Sequence, residues 1–510
     1  MAPQGAPQPS TTTSTSPWSS DTAVLSYLAA ATVIIHLVIG GRYGFHRDEL
    51  ATLDDARHLA WGYVAYPPIA PFFGRISLTL FGTSLTGFRF FAAIAQATAV
   101  VVTGLMAREM GGRRGAQLVA AAAAVPFCLA GGTLMQYVSF DYLFWVLTSY
   151  FVVRMLASDE PRWWLAIGSS LGLGMMAKYG IGFFALGIVA AVLLTDARRY
   201  LASKRLWWGV GLSIVVFLPN LIWQAQNHFI SLDFLKHIHQ RDVRIGRTKN
   251  FLPEQLEITL LGIVLALAGL YYCLLSNAGR RFRMLGWMFL VPLLLFVIAK
   301  GRGYYLAGAY PMLYAAGSVW GERWIASLRG SVRFAVRFFV WTTLIADIAI
   351  MGALTLPIAP LGSEWFKRAA KIQGDFVEEL GWPELVQAVG EIRDSLPVRD
   401  RARLAVLAGN YGEAGAINLY GTRYGLPQAI SGVNSFWQRG YGDPPPETLI
   451  VLGISREFLE RKFSSCMVAG HTPNPFNIEN EETSDHPDIY VCRGLRESWP
   501  EFWKDFRYYG

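Results

Sequence analysis

The stretch GRYGFHRDELATLDDARHLAWGYVAYPPIAPFFGRIS, residues 41–77, follows directly on an apolar run at 24–40. It sets Asp48 and Glu49 a few residues beyond a segment of nearly the length needed to cross a bilayer. Carboxylates at a lipid–water boundary are partly desolvated, and desolvation makes a carboxylate a better proton acceptor. An ordinary polar loop would have much the same composition. Pro67, Pro68 and Pro71 with Trp61 and Tyr66 argue instead for an ordered interfacial loop. A second acidic pair, Asp54-Asp55, reads as a solvated helix face, with a competing site for the base as the alternative.

The surrounding sequence explains why such a loop would sit at a membrane. Of the 510 residues, 53% are hydrophobic and only 16% charged, and the mean hydropathy is +0.31. Soluble domains carry about 25% charged residues. A soluble enzyme, a nucleic-acid-binding module and a disordered scaffold are therefore disfavoured. After the run at 24–40, which lacks the flanks of a signal peptide, apolar segments recur at 89–107, 115–133, 140–156, 163–177, 181–195, 207–223, 256–275, 284–299, 304–320 and 335–354. They predict a polytopic α-helical membrane protein of about eleven transmembrane helices. Residues 1–20, rich in Pro, Ser and Thr, predict a disordered tail.

The net charge of +8 is unevenly placed. Arg108, Arg113 and Arg114, then Arg154 and Arg162, then Arg198, Arg199, Lys204 and Arg205 fall on every second connection. Arg280, Arg281 and Arg283, and finally Arg323, Arg329 and Arg333, continue the series. By the positive-inside rule these loops are cytoplasmic. The N-terminus is then cytoplasmic, and the loop at 41–88 and everything after 355 are extracytoplasmic, in a plasma (inner) membrane. Arg42 and Arg47, directly after the first span, run against this assignment.

Residues 355–510 change character. RLAVLAG, ETLIVLG and DIYVCRG read as buried strands, with helical stretches near 361–394 and 455–463, predicting a C-terminal extracytoplasmic α/β domain. The division expected is a tail (1–20), a membrane domain (21–354) with its first outer loop (41–88), and a soluble domain (355–510). Cys128 and Cys273 lie in apolar runs as packed thiols, while Cys466 and Cys492 could pair only outside the cytoplasm. His237-Ile238-His239 with Asp233 and Asp242 leaves a divalent metal open, although no third ligand is fixed. Gly409-Asn410-Tyr411-Gly412-Glu413-Ala414-Gly415 faintly resembles a phosphate turn but reads better as a tight strand–helix connection.

The ordered motifs carry a resemblance. Asp48-Glu49, Ala56-Arg57-His58, Gly62-Tyr63 and Pro67-Pro68 match in order and spacing the first outer loop of GT-C membrane glycosyltransferases. The stretch is most similar to bacterial relatives of protein O-mannosyltransferases and of the lipid A aminoarabinose transferase (glycosyltransferase family 39/83-like). Ser139-Phe140-Asp141, Ala177-Lys178-Tyr179, LPNLIWQAQNHF (218–229) and Lys300-Gly301-Arg302-Gly303-Tyr304-Tyr305 extend it.

The resemblance implies inverting transfer of a hexose or pentose from a polyprenyl-phosphate carrier to a hydroxyl of an unidentified glycan, lipid or protein. By the family pattern Asp48 is the base, with Glu49 and Asp141 orienting the acceptor or tuning Asp48. His46, Arg57, His58 and Tyr66 belong to the acceptor loop, and Lys178, Lys300, Arg302, Tyr304 and Tyr305 to the donor phosphate site. Cations on the outer face oppose the topological bias, and a lipid phosphate gives them a use; snorkelling to headgroups is the plainer explanation. No nucleic-acid partner is expected, and membrane lipids are. A lipid or glycan flippase is the main rival, but transporters keep ionisable groups at mid-membrane and often show internal repeats. A non-catalytic anchor for the C-terminal domain would leave the ordered charged motifs without a use.

Overall fold

The computed structural model describes residues 20–510; the tail expected at 1–20 lies, but for Ser20, outside the described residues. Its first part is a bundle of helices: α1 (Asp21–Ile39), α2 (Arg47–Arg57), α3 (Ile69–Phe81), α4 (Leu85–Glu109), α5 (Arg114–Gly131), α6 (Tyr137–Ser158), α7 (Trp163–Ala177) and α8 (Ile181–Leu194). It continues with α9 (Lys204–Gln226), α10 (Ile230–Arg244), α11 (Phe251–Thr259), α12 (Gly262–Leu274), α13 (Arg283–Ile298), α14 (Tyr310–Ser327) and α15 (Gly330–Thr355). Local chemistry sets many of the ends. Ser20 and Ser84 accept from the first-turn amides of α1 and α4, satisfying donors that a helix start leaves free.

Each expected apolar segment is helical, though several are short or broken. Among the described residues, seven helices are long and apolar enough to cross, or up to nine if each bent pair is one span. The breaks have structural causes. The α11–α12 pair bends by 105° at Leu260, which adopts a left-handed φ of 47°. Helix α8 turns by 100° into the short helix Asp196–Ala202, and α7 is a shorter apolar helix. The segment 304–320 begins with a tight 3-10 turn, Gly303–Ala309, so that α14 starts only at Tyr310. Residues 224–255, between two of the expected apolar segments, carry the helix α10.

Close approach of helices depends on missing side chains. A Cβ on Gly168 of α7 would lie 2.0 Å from the Gly209 carbonyl oxygen of α9, and one on Gly209 would lie 2.2 Å from the Trp164 oxygen. Backbone against backbone in this way gives helix pairs in lipid the dispersion contact they need.

After α15 come α16 (Glu364–Ile372), the 3-10 turn Gly374–Glu379, α17 (Trp382–Ser395), α18 (Val398–Ala402), α19 (Tyr411–Tyr420), α20 (Asn434–Gln438), α21 (Arg456–Lys462), α22 (Glu481–Ser484) and α23 (Trp499–Asp505). Between them run β1 (Leu404–Ala408), β2 (Ala429–Ile430), β3 (Thr448–Leu452), β4 (Phe463–His471) and β5 (Asp488–Leu495), in the order β2-β1-β3-β5-β4. The three strands expected from sequence are β1, β3 and β5. Strand β1 is parallel to β2 and β3, and β5 is antiparallel to β3 and β4. Alternation sorts the faces. Val406, Ala408, Ile450 and Leu452 join the large core shared with α17 and α19, while Leu407, Val451 and Cys492 pack with Phe502 and Phe506 of the α23 region. Cys466 and Cys492 are disulfide-bonded, across directly paired positions of β4 and β5. Cys128 and Cys273 are buried free thiols.

The α7–α9 contact yields a test. Gly168→Leu should lower the thermal midpoint of the detergent-purified protein, because overpacking costs about 1–3 kcal/mol and here the neighbour is backbone. Gly211→Leu, where a Cβ meets nothing within 4 Å, should leave the midpoint in place. Equal midpoints for the two variants would contradict this account of the helix pair.

Candidate functional site

Helix α2 carries the acidic motif, and its first turn is built by the motif itself. The Asp48 amide donates to His46 Nδ1 (3.1 Å), and the His46 amide donates to Glu49 Oε2 (3.0 Å), a reciprocal cap. Glu49 is fully buried. Its Oε2 also accepts from Arg89 Nη2 at 2.6 Å, and its Oε1 accepts from Arg89 Nε at 2.9 Å and from the Met135 amide at 2.8 Å. Arg89, from the first turns of α4, also donates to Gly40 O, Gly44 O and Glu379 Oε2 at 2.9–3.1 Å. Burial pushes the Glu379 carboxyl up to about 7, against the pull of Arg89. With both oxygens engaged inside the protein, Glu49 shapes the loop.

Asp48 points the other way, into a cavity of about 1000 Å³. Its Oδ1 accepts from the Tyr411 hydroxyl (2.9 Å) and its Oδ2 from Gln136 Nε2 (3.2 Å). Each oxygen keeps a lone pair for an incoming proton. The neighbouring Arg47 pairs with Glu378 at 3.4 Å and with Glu481, and lies 4.9 Å over the Tyr411 ring.

Asp54 and Asp55 are buried, which corrects the expectation of a solvated face. Arg439 forms an ion pair with both. Asn418 donates to Asp54 (2.8 Å) and Tyr66 to Asp55 (2.7 Å). Burial pushes the Asp55 carboxyl up to about 6, with Arg439 opposing. Arg57 donates to the Asn418 carbonyl at 2.9 Å, and the His58 ring bonds the Asp54 carbonyl at 2.9 Å.

The cationic side of the cavity comes from breaks between helices. Lys178 caps α7 in an extended conformation. Its Nζ is buried without a hydrogen-bond partner, lies 3.9 Å from Asp141 Oδ2, and faces the Tyr305, Tyr304 and Tyr137 rings at 4.1, 4.6 and 5.4 Å. Asp141 also accepts from Trp145 Nε1 (3.0 Å). Arg302 pairs with Asp242 of α10 at 2.6 Å. Lys300 takes a left-handed φ of 48° at the turn before it. The 218–229 motif acts through Asn220 and Gln224. Asn220 donates to the Trp61 carbonyl (2.8 Å), and Gln224 donates to Tyr179 (2.7 Å) and Ser231 (2.6 Å), tying α9 to the acidic loop and α10.

Of the residues singled out from sequence, the structure brings His46, Asp48, Tyr66, Lys178, Lys300, Arg302 and Tyr305 to one cavity wall. Glu49, Arg57, His58, Asp141 and Tyr304 are not among its lining residues. Sequence reading missed Arg89, Gln136, Glu379 and Arg439, and named Asp242 only as a candidate metal ligand and Tyr411 only as part of a turn. Only Arg89 carried a signal, as an arginine inside an otherwise apolar helix. Among the described residues, no three His, Cys, Asp or Glu side chains gather as a metal site, and His237 packs on Tyr509 at 5.6 Å.

Residues 65–223 match the family model described as dolichyl-phosphate-mannose-protein mannosyltransferase. The whole structure is similar to that of ArnT from Cupriavidus metallidurans bound to undecaprenyl phosphate, with TM-score 0.57 at 14% identity, covering 93% of this chain and 98% of that one. The apo state of ArnT gives 0.55 at 13% identity, over 92% and 98%. The mycobacterial arabinofuranosyltransferase AftD gives 0.51 at 13% identity, over 92% of this chain and 41% of that one. A comparison with curated proteins finds no match. The fold is that of the ArnT structures, over nearly the whole of both chains.

Arg89→Gln should destabilise the protein by about 3–5 kcal/mol, the usual cost of stripping one partner from buried charges. A fall in thermal midpoint, with easier proteolysis between α15 and β1, is the expected outcome. A variant with wild-type stability would show that Arg89 does not hold the loop.

Proposed function

We propose that this protein is an inverting glycosyltransferase that moves a sugar from a polyprenyl-phosphate carrier to an acceptor hydroxyl at the extracytoplasmic face of the membrane. The observation that carries the reading is the make-up of one cavity: Asp48 opens onto it, and so do the Lys178 amine, which makes no hydrogen bond, and the Arg302 guanidinium. The GT-C fold, and the undecaprenyl phosphate bound to the similar ArnT structure, support a lipid-phosphate donor.

In this reading the acceptor oxygen attacks the anomeric carbon while its proton passes to a free lone pair of Asp48. The bond from the anomeric carbon to the phosphate oxygen breaks, and its electron pair leaves with the lipid phosphate. A phosphate is already a good anionic leaving group and needs no general acid, so one carboxylate suffices. Lys178 and Arg302 stabilise the bound donor and the departing charge. Lys300, Tyr304 and Tyr305 shape that end, and Asp141 steadies Lys178. His46, Arg57, His58 and Tyr66 hold the acceptor loop, and Glu49 acts through the fold. The transferred sugar is a hexose or pentose, and the acceptor a glycan, lipid or protein hydroxyl. Residues 21–354 form the catalytic membrane domain and 355–510 an extracytoplasmic domain. The bonded Cys466 and Cys492 support that orientation, since such bonds persist in oxidising compartments.

A panel of polyprenyl-phosphate sugars offered to the purified protein tests the reaction, with transfer or phosphate-lipid release as the readout. No release from any donor would overturn the reading. Asp48→Asn should cost roughly 10²–10⁴-fold in turnover at unchanged stability; activity within threefold of wild type would remove Asp48 from the base role. Lys178→Gln and Arg302→Gln should weaken donor binding by roughly ten- to a hundredfold, the value of a charge-assisted hydrogen bond. Lys249→Gln, on the exposed surface, serves as control, and equal small losses in all three would indicate general electrostatics.

A further inference from the structure

The turn 409–413, set aside from sequence as a plain strand–helix connection, ends beside the proposed base. Asn410 and Glu413 lock it. The Glu413 amide donates to Asn410 Oδ1 (2.8 Å), and the Gly409 amide donates back to Glu413 Oε2 (2.9 Å). Helix α19 then presses on α2 through two glycines. A Cβ on Gly412 would meet Arg47 Cβ at 2.9 Å, and one on Gly415 would meet Leu50 Cβ at 2.7 Å. This close packing fixes the first residue of α19, Tyr411, over the first turn of α2, with its hydroxyl 2.9 Å from Asp48 Oδ1. Burial, and then the Asp48 charge, hold the phenol protonated well above its usual range. Towards Asp48 the Tyr411 hydroxyl is therefore the donor.

We propose that Tyr411 is the positioning residue of the transfer reaction, a phenol supplied by the C-terminal region that fixes the Asp48 carboxylate. A hydrogen bond to the charged form of a carboxylate favours that form, and a fixed carboxylate presents its free lone pair to the acceptor without a conformational search. Gln136 from α6 grips the other oxygen, so the base is held between the membrane helices and the C-terminal region. The other ionisable groups facing Asp48 are His46 and Arg47 on its own helix, Asp375 and Glu378 on the turn before α17, and Tyr137 on α6. None of these donates a hydrogen bond to its side-chain oxygens among the described contacts. The inference rests on Asp48 being the base.

The test uses the full chain in detergent with whichever panel donor is turned over, and follows kcat, donor KM and the pH profile. Tyr411→Phe keeps the ring under Arg47 and removes only the hydroxyl. Turnover should fall about tenfold with donor KM within twofold, because the lost hydrogen bond is worth about one decade. The acidic limb of kcat should move about one pH unit upward, because the carboxylate then binds its proton more readily. Incorporating 3-fluorotyrosine at 411, a stronger donor of nearly the same shape, should move the limb downward, and it serves where Tyr411→Phe folds poorly. Tyr508→Phe, a half-buried tyrosine bonded to the Gly409 carbonyl, should leave the limb in place. An inactive Asp48→Asn with an unmoved limb in both 411 variants would overturn the role of Tyr411 alone. Turnover retained in Asp48→Asn would instead overturn the base assignment and this inference with it.

Discussion

One guanidinium joins the parts of this protein. Arg89 sits in α4, yet its nitrogens reach the end of α1, the backbone of the loop beyond it, Glu49 of α2 and Glu379 from the far side of the bundle. Five donors in a rigid fork make such a junction available to arginine and to no other side chain. Arg89, Glu49 and Glu379 are all excluded from water, so the arrangement is stable only while complete. Glu379 binds its proton more readily than an ordinary carboxylate because of its burial, which eases the placing of two acids against one base. The neighbours of these residues in sequence are thereby placed: Asp48 beside Glu49 opens onto the cavity, and Glu378 beside Glu379 pairs with Arg47.

The C-terminal region bears on α2 at several separate points. Glu378 and Glu481 hold Arg47, Tyr411 touches Asp48, Asn418 reaches Asp54, and Arg439 bridges Asp54 and Asp55. A short helix of modest apolar content would be a poor fold on its own, since helices of this length are marginal without tertiary contacts. Its order is supplied from above and below.

What could be read in the sequence was local. Apolar runs mark the helices because hydropathy is a property of neighbouring residues, and β1 and β3 were visible because parallel strands buried on both faces are continuously apolar. Strand β4 escaped because it is an edge strand with most residues exposed and a polar SSC start. The bend at Leu260 escaped because a left-handed leucine has no sequence signature. At the candidate site, the acidic motif and the two cations were legible through their order along the chain. Their partners were not. Arg439 lies 384 residues from Asp55, and no pattern of spacing connects them; the solvated face assigned to Asp54 and Asp55 failed for the same reason.

Lys178 has a consequence for how the cavity meets a ligand. A lysine ammonium is strongly hydrated, and stripping that water is the main obstacle to binding it tightly. Here the stripping is done when the chain folds, because the faces of Tyr305, Tyr304 and Tyr137 occupy the space that water would fill. Ring faces attract a cation without fixing a direction, so they steady the amine while leaving its N–H bonds unassigned. The site is in this sense preorganised. An anion that reaches Lys178 meets an amine already held by these rings and by Asp141 at 3.9 Å, and selectivity shifts from the strength of the cation to the shape of the aromatic collar around it.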